Sequence, residues 1–569
     1  MSKRQKFATL IFILAIGAFF RFYQITEVPP GLYPDEAMNG NNALEAIATG
    51  DFKVFYPENN GREGLFINLQ ALSLRLFGIE PWALRIVSAI FGTLTILGVY
   101  LLTKELFGQS HWLRNTKEYE ITKNNLSYFR TNSYFVALLS SFFLATSYWH
   151  INFSRIGFRA IMIPFLATFG IYFLLKGLRQ GKILDMVWAG IFIGLGFHTY
   201  IAFRFIPFVL AVPLIWYLWK WWKNTDTNIR MNTNYTNKYC APCAVLLFFL
   251  ITFVVALPLG LHFVQNPQDF LGRAGDVSIF SSISPLKEFI KSNLATLGMF
   301  FIRGDCNWRH NFACQPQLQS VVAIFFLTGF ILMLRQLFFR ATSYKLQTTS
   351  LLAWLLFMSL PATLTREGLP HALRSIGLIP PVMILSGLGA WWIYQKIINW
   401  LDLQKLKWPT YIGQLERVKK EVALLAILLL TLIPILTYRN YFIRWAGSEE
   451  TYFAFSTDLW HLGKFLDGLP NETKKYVVVN LPGVEVRGIS VPAQTVMFAT
   501  DTFRETGQKE KNMEYVLPQN ISNQLLVTSN QPTVIAFLNG EDKALINEIK
   551  QKNPQLRVRV PGDFVILEN

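Results

Sequence analysis

Residues 3–25 read KRQKFATLIFILAIGAFFRFYQI, and residues 31–36 read GLYPDE. From Phe7 to Ile25 the chain is apolar enough to cross a bilayer, and Lys3, Arg4 and Lys6 ahead of it hold the N-terminus on the cytoplasmic side. No small-residue cleavage pattern follows, so the segment is expected to stay as an anchor rather than leave as a signal peptide. Asp35 and Glu36 therefore face outward, side by side, just beyond the first span. A solvated loop tolerates acids at no cost, so the pair matters only if the rest of the chain converges on it.

The remainder of the chain has the composition of a polytopic membrane protein. Hydrophobic residues make up 52% of the 569 and charged ones 16%, a departure from soluble averages in the direction a bilayer requires. The net charge of +17 does not point to nucleic acid, because the Lys and Arg residues cluster in short loops between apolar spans rather than on one polar face. Reading apolar windows gives about eleven spans. They are residues 7–25, 82–102, 134–148, 160–175, 183–197, 205–219, 244–263, 320–334, 349–364, 375–394 and 422–438.

With this count the inner loops are basic, holding for example Lys104 and Arg114, Lys176 and Arg179, Arg335 and Arg340, and Lys405 and Arg417. The outer connections are short or carry acids, as the positive-inside rule demands. Residues 65–77 are apolar at helical spacing but too short to span, and read as an interfacial helix. An odd number of spans puts the tail outside. Its β-rich runs, such as Tyr476 to Val479 and Thr533 to Phe537, alternate with helix-like stretches and predict a small α/β domain. The expected division is a transmembrane domain over 1–440 and an extracytoplasmic α/β domain over 441–569, in a multi-pass cell-membrane protein. Cys306 and Cys314 fall outside, where a disulfide can close their short loop. Cys240 and Cys243 sit at an inner membrane entry and read as inert thiols.

Once the topology is drawn, the unusual polar residues gather at outer span ends. Asp35, Glu36, Arg62 and Glu63 lie in the first outer loop, His150, Arg155 and Arg159 in the second, and His198, Tyr200 and Arg204 in the third. Arg273 and Asp276 follow in the fourth, and Arg366, His371 and Arg374 in the fifth. Ionisable groups near membrane depth need a partner or a task, and outer arginines run against the charge bias. Phosphate is a natural partner for guanidinium. A carboxylate beside such a ring of cations suits transfer from a lipid-linked phosphate: the acid takes a proton from the acceptor while cations stabilise charge on the departing phosphate. Neither a catalytic triad order nor a phosphate-binding glycine loop occurs. The carboxylate pair can ligate a divalent cation, which stays open as a cofactor, although no further acids lie nearby.

These residues resemble the GT-C superfamily of polytopic lipid-phosphate-dependent glycosyltransferases, and are similar to protein O-mannosyltransferases and lipid A aminoarabinose transferases. The resemblance rests on Asp35-Glu36 after the first span, Gly61-Arg62-Glu63-Gly64-Leu65, and Phe153-Ser154-Arg155-Ile156-Gly157-Phe158-Arg159. It extends to Gly196-Phe197-His198-Thr199-Tyr200 with Arg204, and to His371-Ala372-Leu373-Arg374 before Pro380-Pro381. It covers roughly residues 7 to 440. It implies an all-α membrane fold and inverting transfer of a sugar from a polyprenyl-phosphate donor to an envelope lipid, glycan or protein at the outer face. Asp35 would then be the base and Glu36 its helper. Arg62, Arg155, Arg159, Arg204 and Arg374 would bind donor phosphate, while Glu63, His150, His198, Tyr200 and His371 would line the substrate site. One departure is Gly64, where many relatives have proline.

Two other readings compete. A transporter or flippase for a lipid-linked or anionic substrate also collects arginines in a cavity, but the inverted repeats and broken helices of that class are not seen. A non-catalytic envelope subunit would use the tail for docking, and replacing Asp35 would then leave activity intact.

Overall fold

The computed structural model describes residues 2–108, 133–223, 241–271, 274–338, 345–521 and 531–569. Among these, eight helices are long and apolar enough to cross a membrane: Lys3–Phe22, Pro81–Phe107, Arg159–Gln180, Ile201–Trp219, Pro242–Gln265, Ser320–Phe338, Ile376–Lys407 and Pro409–Trp445. Three further spans read from the sequence are also helical. Ser133–Ala145 and Ile183–Phe197 are apolar but shorter, and Lys345–Thr363 opens with the polar run Gln347 to Ser350, which dilutes its apolar length. Gly64–Phe77 is a 14-residue helix, below spanning length. It buries Phe66, Ile67 and Leu74 while Leu72 and Leu76 stay exposed, so apolar groups occupy both sides. One apolar core runs through the bundle from Leu10 on the first helix to Ile433 on the last. The chain is a multi-pass membrane protein.

The last long helix continues to Trp445 and leads into short helices at Glu449–Ala454 and Thr457–Asp467. A five-stranded sheet follows, in the spatial order Met513–Val516, Lys474–Val478, Thr533–Phe537, Ile566–Glu568, Arg557–Arg559. The first three strands are parallel and the last two antiparallel. Side chains alternate between two covered faces, as the two-residue period requires. Val477, Val534 and Ala536 meet Leu459, Leu462 and Val496 on one face, whereas Val478, Ile535 and Phe537 meet Ile546 and Ile549 on the other.

This domain sits on the loop helix that carries Asp35 in its first turn. Helix Pro34–Thr49 packs against Gln494–Thr500, and Met38 is buried in the domain's own core. Asn41 Nδ2 donates to the backbone and side-chain oxygens of Gln494 at 3.1 and 2.9 Å. Thr495 Oγ1 donates to the Leu32 carbonyl at 2.9 Å. Gly31, at φ +57°, lies where a Cβ would be 2.6 Å from the Phe455 carbonyl oxygen, so the chain passes this close only without a side chain.

Cys306 and Cys314 form a disulfide. Cys243 is also disulfide-bonded, which corrects the reading of an inert thiol there; Cys240 lies outside the described residues.

Candidate active site

Helix Pro34–Thr49 starts with proline at its first turn and places Asp35 and Glu36 there, where the helix dipole favours negative charge. The two neighbours then part. Asp35 lines a cavity of about 890 Å³, and its Oδ1 accepts from Asn59 Nδ2 at 2.8 Å. Glu36 turns inward and is fully buried. Its Oε1 accepts from Arg85 Nε at 3.0 Å and from the Gly157 N–H at 2.7 Å, and its Oε2 accepts from Arg85 Nη2 at 3.1 Å. With both oxygens occupied, Glu36 does not converge with Asp35 on a shared cation.

The same cavity collects Arg62, Glu63, Arg159, Tyr200, Arg204, His371 and Arg374, residues from four separate connections. Arg62 is held by Asn39 Oδ1 at 2.7 Å, by Asn42 Oδ1 and by the Glu58 carbonyl at 3.3 Å. Burial, and then the neighbouring charge of Arg159, pulls its pKa down to about 10. Gly64 sets the local geometry. Its N–H donates to the Val54 carbonyl at 2.7 Å, and a Cβ would stand 2.0 Å from the Lys53 carbonyl oxygen. A proline has no N–H for that bond.

Arg159 Nε pairs with Glu63 Oε2 at 2.9 Å and lies over the Tyr200 ring. Arg204 caps the Phe270 carbonyl and stacks on its ring at 4.3 Å. Arg374 Nη1 donates to Thr365 Oγ1 at 2.8 Å and to the Glu367 carbonyl at 3.1 Å. Burial, then His310 and the nearby arginines, pushes the His371 pKa well below the usual imidazole value.

Four residues expected at the site lie elsewhere. Arg155 donates to the carbonyls of Phe20, Gln24 and Val28, so it ties the end of the first helix to the following turn. His150 Nδ1 meets Arg21 Nη2 at 2.6 Å inside the protein. His198 Nε2 bonds the Val255 carbonyl at 2.8 Å between two helices. Glu36 is the fourth, as described. Arg273 and the Asp276 side chain lie outside the described residues.

Sequence reasoning passed over several groups that the structure brings in. Asn39 and Asn59 contact the site residues directly, and Arg85 orients Glu36. A charge four residues into an apolar span is a signal by the cost of burying it, and Arg85 had it. Arg309 and His310 also line the cavity, and Arg309 lies 3.9 Å from the centroid of the Tyr33 ring. The Tyr33 hydroxyl is pushed up to about 12, by burial first and then by Asp35.

Five arginines and three carboxylates line the cavity, Asp35, Glu63 and Asp269 being the acids, which leaves two positive charges over. The far wall is apolar and comes from the C-terminal domain through Leu481, Val484, Val491 and Pro492. Hence a carboxylate stands beside a cationic wall, under a roof that belongs to the tail.

Two solved structures have this architecture over the whole chain. ArnT from Cupriavidus metallidurans in the apo state superposes with a TM-score of 0.53 at 13% identity, covering 100% of this chain and 98% of that one. The same protein bound to undecaprenyl phosphate gives 0.50 at 14% identity, with 98% and 97% covered. The chain has the GT-C fold. Within the GT-C region, residues 65–133 match the family model described as dolichyl-phosphate-mannose-protein mannosyltransferase. A putative mannosyltransferase, YkcB of Bacillus subtilis (strain 168), is 22% identical over 224 residues, which are 37% of this chain and 27% of that protein. The match thus spans about a quarter of that relative's length.

Proposed function

We propose that this protein is an inverting glycosyltransferase of the GT-C type. It takes a sugar from a polyprenyl-phosphate-linked donor and passes it to an envelope lipid, glycan or protein acceptor at the outer face of the cell membrane. The observation that carries the reading is Asp35, a carboxylate on a cavity wall with an excess of two positive charges. A sugar phosphodiester carries one negative charge, whereas the departing lipid phosphate is a monoester with roughly two at neutral pH. The wall is therefore matched to the product of bond cleavage better than to the donor, which is the sense in which electrostatics lowers a barrier.

In this reading Asp35 accepts the proton of the acceptor hydroxyl or amine as that atom attacks the anomeric carbon. The bond from the anomeric carbon to the phosphate oxygen breaks, and its electron pair leaves with the phosphate, beside Arg62, Arg159, Arg204 and Arg374. Glu36 positions rather than reacts, because Arg85 neutralises it. The similarity to ArnT bound to undecaprenyl phosphate supports a polyprenyl-phosphate donor. The apolar roof from the C-terminal domain suits a contribution to acceptor binding.

The test is sugar transfer by purified protein in lipid, with a panel of radiolabelled polyprenyl-phosphate sugars and envelope extract as acceptor. Wild type should release polyprenyl phosphate and Asp35→Asn should not. Equal release by both removes Asp35 from the role of base.

A further inference from the structure

The proposed transfer chemistry makes no use of a cluster formed by Asp305 and two residues of the cavity wall, His310 and His371. Asp305 Oδ2 lies 2.9 Å from His310 Nδ1 and 3.9 Å from His371 Nδ1. One ligand atom from each of the three residues falls within 4.8 Å of the other two. The two imidazole rings are 5.0 Å apart between centroids. Asp305 and His310 form an ordinary Asp–His pair, and His371 Nδ1, which accepts from the Arg374 N–H at 3.4 Å, faces the same carboxylate oxygen beyond hydrogen-bond reach.

We propose that Asp305, His310 and His371 form a binding site for one divalent zinc-type cation, with a fourth position open to the cavity. The donor set is chemically apt: two imidazoles and one carboxylate suit zinc, and three protein ligands with one open position are the pattern of catalytic rather than structural sites. Ligand atoms about 2.0–2.2 Å from a tetrahedral ion stand roughly 3.3 Å apart, between the two distances seen here. His371 Nδ1 approaches that spacing by exchanging the Arg374 N–H for the ion.

The surroundings already hold the carboxylate in place. Asp305 Oδ1 accepts from the Asn307 N–H at 2.8 Å, and Oδ2 accepts from the Ala372 N–H at 2.8 Å. Backbone donors of this kind orient a metal ligand and are costly to lose. Asp305 and His310 flank or lie inside the loop closed by the Cys306–Cys314 disulfide, while His371 comes from the connection that leads to the helix Ile379–Lys407. An ion here would join these two connections and set its open position beside Arg309 and Arg374, both on the cavity wall. An anionic oxygen, phosphate foremost, is the ligand that such a position takes. The metal-binding claim stands apart from the transfer reading, and its test reads binding alone.

Tag-free full-length protein in nanodiscs is stripped with chelator, loaded with Zn²⁺, desalted and analysed for metal, and a chromophoric chelator competes for the ion. Wild type should retain one equivalent, and His371→Gln should bind at least ~10-fold more weakly. His461→Gln removes a histidine paired with an acid elsewhere, at Asp563, and should bind as wild type does. Absence of retained zinc in wild type overturns the site, as does undiminished binding by His371→Gln. Should that variant fail to fold, X-ray absorption on the zinc-loaded wild type decides: two imidazole ligands support the assignment, and one or none overturns it.

Discussion

Arg85 grips both carboxylate oxygens of Glu36 with one edge of its guanidinium while Asp35, on the neighbouring position of the chain, faces the cavity. Nε and Nη2 of Arg85 lie 3.0 and 3.1 Å from the two carboxylate oxygens, and Nη1 and Nη2 also bond the carbonyls of Pro29 and Gly31 at 2.6 and 2.9 Å. Both side chains are essentially inaccessible. Breaking a buried pair by removing one partner strands a charge, at a cost of about 3–5 kcal/mol. Arg85→Met should therefore lower the thermal midpoint markedly and abolish transfer. Adding Glu36→Leu to it should recover much of the midpoint, since an apolar pair of similar volume replaces a buried ion pair at little cost. Fluorescence-detected unfolding of the single and double variants measures both effects.

Asp35→Asn should behave in the opposite way, losing chemistry and keeping the fold. The bond from Asn59 reaches Oδ1, and asparagine keeps an acceptor there. Loss of a general base costs roughly 10²–10⁴ in rate. The expected result is a fall of that size in turnover with donor affinity and thermal midpoint close to wild type.

Much of this arrangement was legible in the sequence because membrane insertion leaves coarse marks. The spans, and the gathering of Asp35, Arg62, Arg159, Arg204 and Arg374 about one cavity, follow from hydropathy and charge alone. What stayed hidden was the direction in which each side chain points. His150 and His198 sit at the same span ends as cavity residues, yet the first faces Arg21 and the second a helix carbonyl. A single turn of helix separates a site residue from a packing residue, and outer-loop position does not record it. Asp305 and His310 were hidden for another reason, since their neighbourhood carries a disulfide that explains the segment without them.

Arg487 joins the C-terminal domain to the loop that carries the proposed base. Its nitrogens reach Glu58 Oε1 and both oxygens of Glu45, each at 2.9 Å. All three side chains are partly exposed, so the pairs contribute at most about 1 kcal/mol each and weaken with salt. Arg487→Ala should leave the thermal midpoint nearly unchanged while raising the acceptor KM and speeding protease cleavage between the domain and the last span. High salt should move the wild type toward the variant and leave the variant where it is. A salt response of equal size in both proteins would show that Arg487 does not close the roof.

Gly64 offers the sharpest test of how the loop that carries Arg62 is built. Its N–H bond to Val54 and the 2.0 Å approach of a hypothetical Cβ to the Lys53 carbonyl oxygen mean that alanine must push backbone against backbone, and that proline additionally loses the bond. Overpacking of this kind costs about 1–3 kcal/mol, and the displaced strand Arg62–Glu63 carries the Arg62 guanidinium with it. Gly64→Ala should thus weaken donor binding as well as lower the midpoint, and Gly64→Pro should do more of both. Gly298→Ala, at a position where a Cβ meets nothing within 4 Å, should do neither. If Gly64→Pro instead binds donor as wild type does, the loop tolerates proline, and the bond to Val54 is not what aims Arg62.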